Sequence, residues 1–433
     1  MMKPRRLGRL AVLGAAVALA VPAVASANEV TKWNEITVNT VNMQTPITSA
    51  PNAGSIFIAM SQGAVYGAVN AVDRHGRPYL VNQSYPHGSP DAAAATAAYR
   101  VLNSLFPAQH DALLLAYNES LAGIPDGRAK TTGIHVGTLA ADAMLDQGHD
   151  GRTFITCTFG SGLPGEWTPL PDANGNPLCD PAPWVRGAVP FLVNSALQFR
   201  TAGPFALTSA DYTDDFNEVK AIGALNSNTR TPQQSHAAAF WQSNPGVNYN
   251  AMARRFVSQF SLDVSDSARL FAMLDLSAAD ALITTWSDKY ARNFWRPITA
   301  IRRADIDGNP DTQADPTWKP MFDPTLDPSI GGTGPALITP PYPDHPSGAT
   351  AYASASMHAF ASFFGTDVMT FYATSSRFPG EQRIFHRFSG VTNEVLEARI
   401  WAGIHYRNPD AQSANLGREV ERYIHKHQFA SAR

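Results

Sequence analysis

The sequence predicts an all-α fold in a single large domain. Apolar residues recur with a period near 3.6 along most of the chain, and runs that alternate apolar and polar residues are scarce. About 400 residues follow the N-terminal segment, enough for one large domain or two of ordinary size. Because we find no fixed-period repeat and no low-complexity tail, we predict one domain over residues 28–433.

The N-terminus is predicted to be an export signal. A basic start and an apolar stretch are followed by an A-x-A cleavage site, at 3–9, 10–24 and Ala25-Ser26-Ala27. We therefore predict a signal peptide over residues 1–27 and a periplasmic or extracellular mature protein. Arg5-Arg6 leaves the twin-arginine route open beside the general one.

The mature chain is mildly acidic, since removal of the signal peptide changes the formal net charge from −3 to −7. Nucleic acid is therefore not an expected partner. Beyond the signal peptide no run of 18 apolar residues occurs, so no membrane span is expected. Cys157 and Cys179 indicate one disulfide in an exported protein, with two free buried thiols as the alternative. The sequence does not fix the oligomeric state, and a homo-oligomer is one option.

The helices of the N-terminal part are predicted from periodicity and composition. Residues 58–72 combine apolar periodicity with small residues suited to close packing, and 91–105 is rich in alanine. Residues 107–122 and 126–145 continue the helical pattern. Prolines and glycines then interrupt the chain over 150–206, which predicts an irregular segment. A connection of that length is uncommon in a compact domain unless it is functional.

Helical patterns resume at Ser209, because a serine followed by an acidic first turn is a good N-cap. Further helices are predicted over 231–241, 247–260, 265–294, 350–364, 393–403 and 412–425.

Lys289 and Arg296 are the first candidate site residues. They are seven apart, so on a helix they share one face two turns apart. Pro297 disfavours helix at Arg296, which places the guanidinium near a helix end. Arginine offers a planar fork to oxyanion oxygens, and lysine adds a compact charge. The alternative is a solvated pair, or one bound to carboxylates such as Asp288.

Ser347 and Gly348 form the second candidate. They lie in a turn before an apolar helix, where free backbone N–H groups and the positive end of the helix dipole favour an anion. A plain N-cap is the alternative. Arg399 and His405 form the third candidate, but their spacing of six does not by itself bring them together on a helix.

These segments resemble the oxyanion site shared by vanadium-dependent haloperoxidases and type-2 phosphatidic acid phosphatases. The family pattern is K-x6-R-P, then P-S-G-H, then S-R-x5-H-x3-D. The matching residues are Lys289, Arg296 and Pro297, then Pro346, Ser347 and Gly348, then Arg399 and His405. Likeness to the bacterial haloperoxidase-like branch extends over nearly all of the mature chain, at 33–35, 124–130, 215–226 and 286–302.

The resemblance implies a helical bundle with the oxyanion site buried among helices. Vanadate would be the cofactor, and phosphate could occupy the same site. Lys289, Arg296 and Arg399 would neutralise its oxygens, while Ser347 and the Gly348 amide would hydrogen-bond them. His405 would ligate vanadium, or attack phosphorus in a phosphatase. Lys289 would also polarise hydrogen peroxide for attack by a halide.

Two positions depart from the family pattern. Ala349 stands where the family has the acid/base histidine, and His345, four residues away, is the weakly supported substitute. Ala398 replaces the serine before Arg399, and Asp410 lies one residue too far from His405 to match fully. Asp410 is nonetheless the candidate carboxylate for orienting the His405 ring.

Three functions follow, in order of preference: a haloperoxidase using hydrogen peroxide and halide, a phosphatase hydrolysing phosphomonoesters through a phosphohistidine, and a non-catalytic oxyanion-binding protein. Ala349 disfavours the phosphatase more than the haloperoxidase, because a departing alkoxide needs a proton that alanine cannot donate. For the peroxidase, we expect reduced activity. Trp286 and Tyr342 match family positions near halide and peroxide, although aromatic packing explains them equally well. The halide is not specified by the sequence.

Overall fold

The computed structural model describes residues 28–152 and 160–430. The predicted signal peptide and Cys157 lie outside the described residues, so the export signal and the Cys157–Cys179 disulfide stay predictions. The described chain is built from α-helices and one two-stranded sheet. The predicted all-α class is confirmed.

The helices of the N-terminal part follow one another in the predicted order. They are α1 (Glu29–Asn42), α2 (Pro46–Ser49), α3 (Pro51–Asp73), α4 (Pro90–Leu105), α5 (His110–Ala122) and α6 (Arg128–Asp146), with a 3₁₀ turn at Pro107–Gln109. Helix α3 is long and apolar enough to cross a membrane, but it is buried in the core between α4, α6 and the later α-helices. Among the described residues, no other helix meets that description.

The C-terminal part contains the longest helix and the site. Its helices are α7 (Ala210–Ile222), α8 (Pro232–Phe240), α9 (Pro245–Phe260), α10 (Val264–Arg292), α11 (Pro297–Arg302), α12 (Pro328–Gly331), α13 (Gly348–Phe364), α14 (Phe388–Trp401) and α15 (Arg407–Ile424). A π turn (His425–Phe429) follows α15, and 3₁₀ turns occur at Pro183–Gly187 and Ala304–Ile306. The hydroxyl of Ser209 caps α7 by accepting from the Tyr212 amide, as the sequence predicts.

Helix α10 is the axis of the fold, because it packs against α3 on one side and α13 and α15 on the other. Its residues are buried along almost the whole length, so no amphipathic stripe is needed. Helices α13 and α15 cross closely at Gly417, where an added Cβ would collide with the Ala351 carbonyl oxygen. This close crossing brings the first turn of α15 to the first turn of α13.

The irregular segment is fastened to α10 by two buried carboxylates. Asp280 accepts hydrogen bonds from the backbone amides of Phe191, Leu192 and Val193 at 2.6, 2.8 and 2.9 Å. Two turns further on, Asp288 accepts from the Thr201 amide at 2.9 Å. The prolines and glycines of this segment prevent a helix, and the carboxylates on α10 supply the acceptors that its free amides need.

A hairpin differs from the sequence prediction. Strands β1 (Val368–Ala373) and β2 (Arg383–Arg387) pair antiparallel, with Phe371 opposite Phe385. The two rings stack on each other, and Phe371 also stacks on Phe388, which begins α14 five residues before the predicted start. The alternation in each strand is too short to signal a strand by periodicity, and the pairing depends on this aromatic contact.

Candidate oxyanion site

The predicted site residues meet at one end of α10. The residues that we call the anion site are Lys289, Arg296, Ser347, Gly348, Arg399 and His405, and each is buried. Lys289 lies in the last turn of α10, which ends where Asn293 adopts a left-handed conformation. Its ammonium group donates to the carbonyl oxygens of Pro343 at 2.8 Å and Asp344 at 2.9 Å, and also to that of Pro346. The three donors of Lys289 therefore hold the 343–346 loop.

Arg296 connects that loop to the segment before α15. It is extended at the N-terminus of α11, as Pro297 requires. Its Nε donates to the Tyr342 carbonyl at 2.9 Å, and Nη1 donates to the Ile404 carbonyl at 2.7 Å. Nη2 is buried and has no partner among the described residues. One edge of the guanidinium thus keeps N–H donors available for an oxyanion.

His405 is held in one tautomer by its two neighbours. Its Nε2 lies 3.0 Å from Arg296 Nη1, and because a guanidinium only donates, Nε2 accepts and carries no proton. The proton is therefore on Nδ1, which lies 2.8 Å from Asp344 Oδ1 although no aligned hydrogen bond joins the two atoms. Burial lowers the pKa of His405 well below its usual value, and Arg296 and Lys289 lower it further. The ring is neutral, with an Nε2 lone pair directed into the cationic cluster.

Asp344, rather than Asp410, is the carboxylate beside His405. Asp410 is buried in the first turn of α15 and accepts a hydrogen bond from the Thr350 hydroxyl on α13. The expectation that Asp410 orients the imidazole does not match this geometry. The signal that pointed to Asp410 was its near match to the H-x3-D spacing, since it lies five residues after His405. Asp344 reaches His405 from a different segment, so no local spacing reveals it.

Ser347 and Gly348 open α13 beneath the cations. The Ser347 amide donates to Ser413 Oγ at 2.7 Å, and its hydroxyl lies 3.4 Å from Thr350 Oγ1 instead of capping the helix. A Cβ at Gly348 would lie 2.5 Å from a ring carbon of Trp286, so glycine is needed for this close packing. The first amides of a helix have no acceptor within the helix, which leaves an anion-binding end at this point.

Arg399 lies where the site opens to a cleft. Its Nη1 donates to Gln242 Oε1 at 2.7 Å, and its Nε is buried without a partner in the described part of the chain. The cleft has a volume of about 80 Å³ and is lined at this end by Arg399, Gly348 and Ala349. Gln242 gave no sequence signal, because it follows α8 and contacts Arg399 only through the tertiary fold.

Two aromatic side chains flank the site. Trp286 and Tyr342 pack at a ring distance of 5.1 Å and line the cleft. Lys289 Nζ lies 5.7 and 5.3 Å from the two ring centres, so both rings shield the ammonium. Asp180 accepts from the Trp286 indole at 2.8 Å and fixes its orientation.

Burial shifts the pKa values of the charged groups toward their neutral forms. It lowers the pKa of Lys289 well below its usual value, and the charge of Arg296 lowers it further. It raises the pKa of Asp344 well above its usual value and that of Asp410 to about 7. A bound oxyanion would stabilise the charged forms of the cations. The unpartnered N–H groups of Arg296 and Arg399 therefore fit a tetrahedral anion, while Lys289 would have to exchange a carbonyl partner for it.

Comparisons with known proteins agree with this arrangement. A family model described as the VCPO second helical-bundle domain matches residues 269–432, which contain the whole anion site. Vanadium chloroperoxidase of Curvularia inaequalis is 30% identical over 216 residues, or 43% of this chain. The match spans about a third of that relative, 34% of its length.

Solved structures show the same fold over most of the chain. The first bacterial vanadium-dependent iodoperoxidase superposes with a TM-score of 0.69 at 21% identity, covering 92% of this chain and 97% of that one. A holo-type bacterial vanadium-dependent chloroperoxidase superposes with a TM-score of 0.66 at 15% identity and the same coverage. The family model matches the helical bundle that holds the anion site, and the solved structures show that the chain has the fold of bacterial vanadium-dependent haloperoxidases.

Proposed function

We propose that this protein is an exported vanadium-dependent haloperoxidase that oxidises halide with hydrogen peroxide. The observation that carries the proposal is the neutral His405, whose Nε2 lone pair faces a buried cationic cluster with unpartnered guanidinium N–H groups. Such a cluster suits an oxyanion whose central atom accepts a nitrogen ligand. The relative and the solved structures named above are all vanadium-dependent peroxidases.

The residues of the anion site would have different roles. Arg296 and Arg399 would bind oxyanion oxygens through their free N–H groups, and the amide end of α13 would contribute donors from Gly348. His405 would supply the nitrogen ligand through Nε2, after exchanging its hydrogen bond from Arg296 Nη1 for the bound group. Bound vanadate would act as a Lewis acid that activates peroxide toward halide without changing its oxidation state.

Lys289 has a different starting position from the one its family match implies. Its three donors are engaged by the 343–346 loop, so its first task is to hold that loop against α10. Before Lys289 could contact peroxide or vanadate, it would have to break one of these three hydrogen bonds. The cleft that ends at Arg399 and Ala349 would admit peroxide and halide.

The phosphatase alternative is not favoured. Ala349 lines the cleft at the anion site with a methyl group, so that position offers no proton to a departing alkoxide. The vanadium peroxidases matched above give it no support either. A binding-only protein is the remaining alternative, and the same assay separates it from an enzyme.

The test is a paired assay on the mature chain, residues 28–433, with and without added vanadate. We expect peroxide-dependent oxidation of bromide or iodide only with vanadate, and poor hydrolysis of an aryl phosphate. Phosphate turnover without halide oxidation would overturn the proposal in favour of a phosphatase. Vanadate binding without either activity would identify a binding protein. Export is tested separately, by locating the full chain and a chain lacking residues 1–27 after expression.

A further inference from the structure

His345 is a wholly buried histidine that the reaction described above does not use. It lies in the 343–346 loop, between Asp344 and Pro346. Its Nε2 is 2.8 Å from the Thr201 hydroxyl oxygen, and that oxygen is 2.5 Å from Asp288 Oδ2. A histidine, a hydroxyl and a carboxylate therefore form one hydrogen-bonded chain.

The direction of each hydrogen bond in this chain is fixed by its last member. A carboxylate only accepts, so the Thr201 hydroxyl donates its single proton to Asp288. The same oxygen must then accept from His345, which places the proton on Nε2 and the lone pair on Nδ1. Nδ1 is buried and has no partner within the described residues. A buried nitrogen with a free lone pair needs an explanation.

The chain lies between the 343–346 loop, which borders the anion site, and the protein surface. At its inner end, the two neighbours of His345 contact the site, since Asp344 lies beside His405 and the Pro346 carbonyl accepts from Lys289. At its outer end, Asp288 accepts from Arg292, a partly exposed side chain.

Thr201 also lines a separate surface cleft formed by residues 198–202 and 412–419. This cleft brings solvent to the middle member of the chain, next to the buried Asp288.

We propose that His345, Thr201 and Asp288 form a proton relay that serves the anion site in place of the side chain missing at Ala349. The inference rests on the proposed function. When a proton leaves the site, His345 Nδ1 accepts it, Nε2 passes its own proton to the Thr201 oxygen, and the hydroxyl proton moves to Asp288. Reversal of the three transfers returns a proton to the site, so each atom ends with the valence it began with.

The charges around the His345 ring favour a neutral imidazole that relays protons over an imidazolium that holds one. Burial lowers the pKa of His345 to about 3, with Lys289 and Arg292 lowering it and Asp288 raising it. The ring is therefore neutral at physiological pH. Concerted transfer through both nitrogens never requires the ring to carry two protons, which this environment would oppose.

The first test reads the tautomer without any vanadate. In the mature chain labelled with ¹⁵N-histidine, the imidazole signals of His345 are assigned by comparison with His345→Gln. We expect protonated Nε2 and unprotonated Nδ1 near neutral pH. Thr201→Val, which keeps the shape but lacks the hydroxyl, should change the Nε2 signal. An Nδ1–H tautomer or an imidazolium would overturn the relay, including in a protein that shows no halide oxidation.

The second test is a mutant cycle with the position that lacks the acid/base group. Ala349→His should raise the oxidation rate by at least about tenfold, since proton transfer of this kind contributes about 10²- to 10⁴-fold. In the protein with Ala349, Thr201→Val should lower the oxidation rate by about tenfold. In the Ala349→His variant it should lower the rate by less than about twofold, because the new histidine bypasses the relay. Thr201→Ser keeps a hydroxyl and should restore the rate.

Vanadate affinity and melting temperature separate the relay from a merely structural role. The affinity should stay unchanged in Thr201→Val, whereas the melting temperature should fall by the same amount in the Ala349 and Ala349→His backgrounds, because two buried hydrogen bonds are lost in each. Equal slowing in the two backgrounds, or a loss of vanadate affinity that matches the loss of rate, would show that Thr201 only holds the 343–346 loop, and the relay would be wrong. Absence of oxidation in every variant would instead contradict the proposed function, and the tautomer measurement would still decide the relay.

Discussion

Helix α10 carries two buried charged clusters, and only one of them is a candidate site. Near its middle, Asp275 accepts from Asn250 at 2.8 Å, and Asn250 in turn accepts from Asn34 at 2.6 Å. Near its end, Lys289 lies with Arg296 in the anion site. Both clusters contain buried polar atoms without a partner in the described structure, Asp275 Oδ2 in the first and Arg296 Nη2 in the second.

The difference lies in how each cluster can satisfy its unpartnered atom. A carboxyl group can take up a proton, and burial raises the pKa of Asp275 to about 7 so that it does so readily. A guanidinium cannot release its proton in a protein, so Arg296 and Arg399 need an acceptor from outside. The anion site also opens to a cleft. Buried charge alone therefore does not identify a site, whereas unpartnered permanent donors beside a cleft do.

The largest effect is expected from His405→Ala. Loss of the nitrogen ligand should reduce vanadate-dependent halide oxidation by about 10³-fold or more, because groups that act as a unit fail together. Circular dichroism should show an unchanged helical content, since the imidazole is not part of the helix packing around α10. Asp275→Asn is the matched control from the other cluster. If the control lost as much activity as His405→Ala, the two clusters would not differ in function.

Asp275→Asn should instead change how stability depends on pH. The carboxyl has a pKa of about 7 when folded, against 3.8 for the free group. Its folded pKa is the higher one, so its contribution is fully present below about pH 4 and is lost as pH rises through about 7. The lost stability is at most about 4 kcal/mol. Urea unfolding across this pH range should show a shallower dependence for Asp275→Asn, and no change for the exposed control Asp146→Asn.

The two carboxylates of the anion site can be distinguished directly. Asp344→Asn should weaken vanadate binding by about 10- to 100-fold, because it replaces the carboxyl group that lies beside the protonated Nδ1 of His405. Asp410→Asn should have a smaller effect, since its partner is the Thr350 hydroxyl. Vanadate titration of both variants measures the difference. A larger loss for Asp410→Asn would restore the assignment made from the sequence.

The sequence predicted what local patterns encode. Long helices such as α3 and α10 follow from periodicity and composition, and Lys289, Arg296, Ser347 and His405 follow from motif spacing. Asp344 and Gln242 could not be found in this way, because each reaches the site only through contacts between distant segments. The same limit applies to the β1–β2 hairpin, whose pairing depends on Phe388. Motifs thus locate the atoms that bind, and the fold determines which side chains orient them.

The smallest expected effect concerns the pH dependence of anion binding, and it tests whether the anion site is tuned by its own carboxyl groups. Sulfate is a suitable probe, because its charge is constant between about pH 5 and about pH 9. Burial raises the pKa of Asp410 to about 7, so this group becomes negative as pH rises through that value. The new charge opposes an anion nearby. Sulfate affinity measured by calorimetry should therefore fall severalfold from low to high pH. Asp410→Asn should reduce the fall. Affinity that rises with pH would mean that the cations do not form the binding surface.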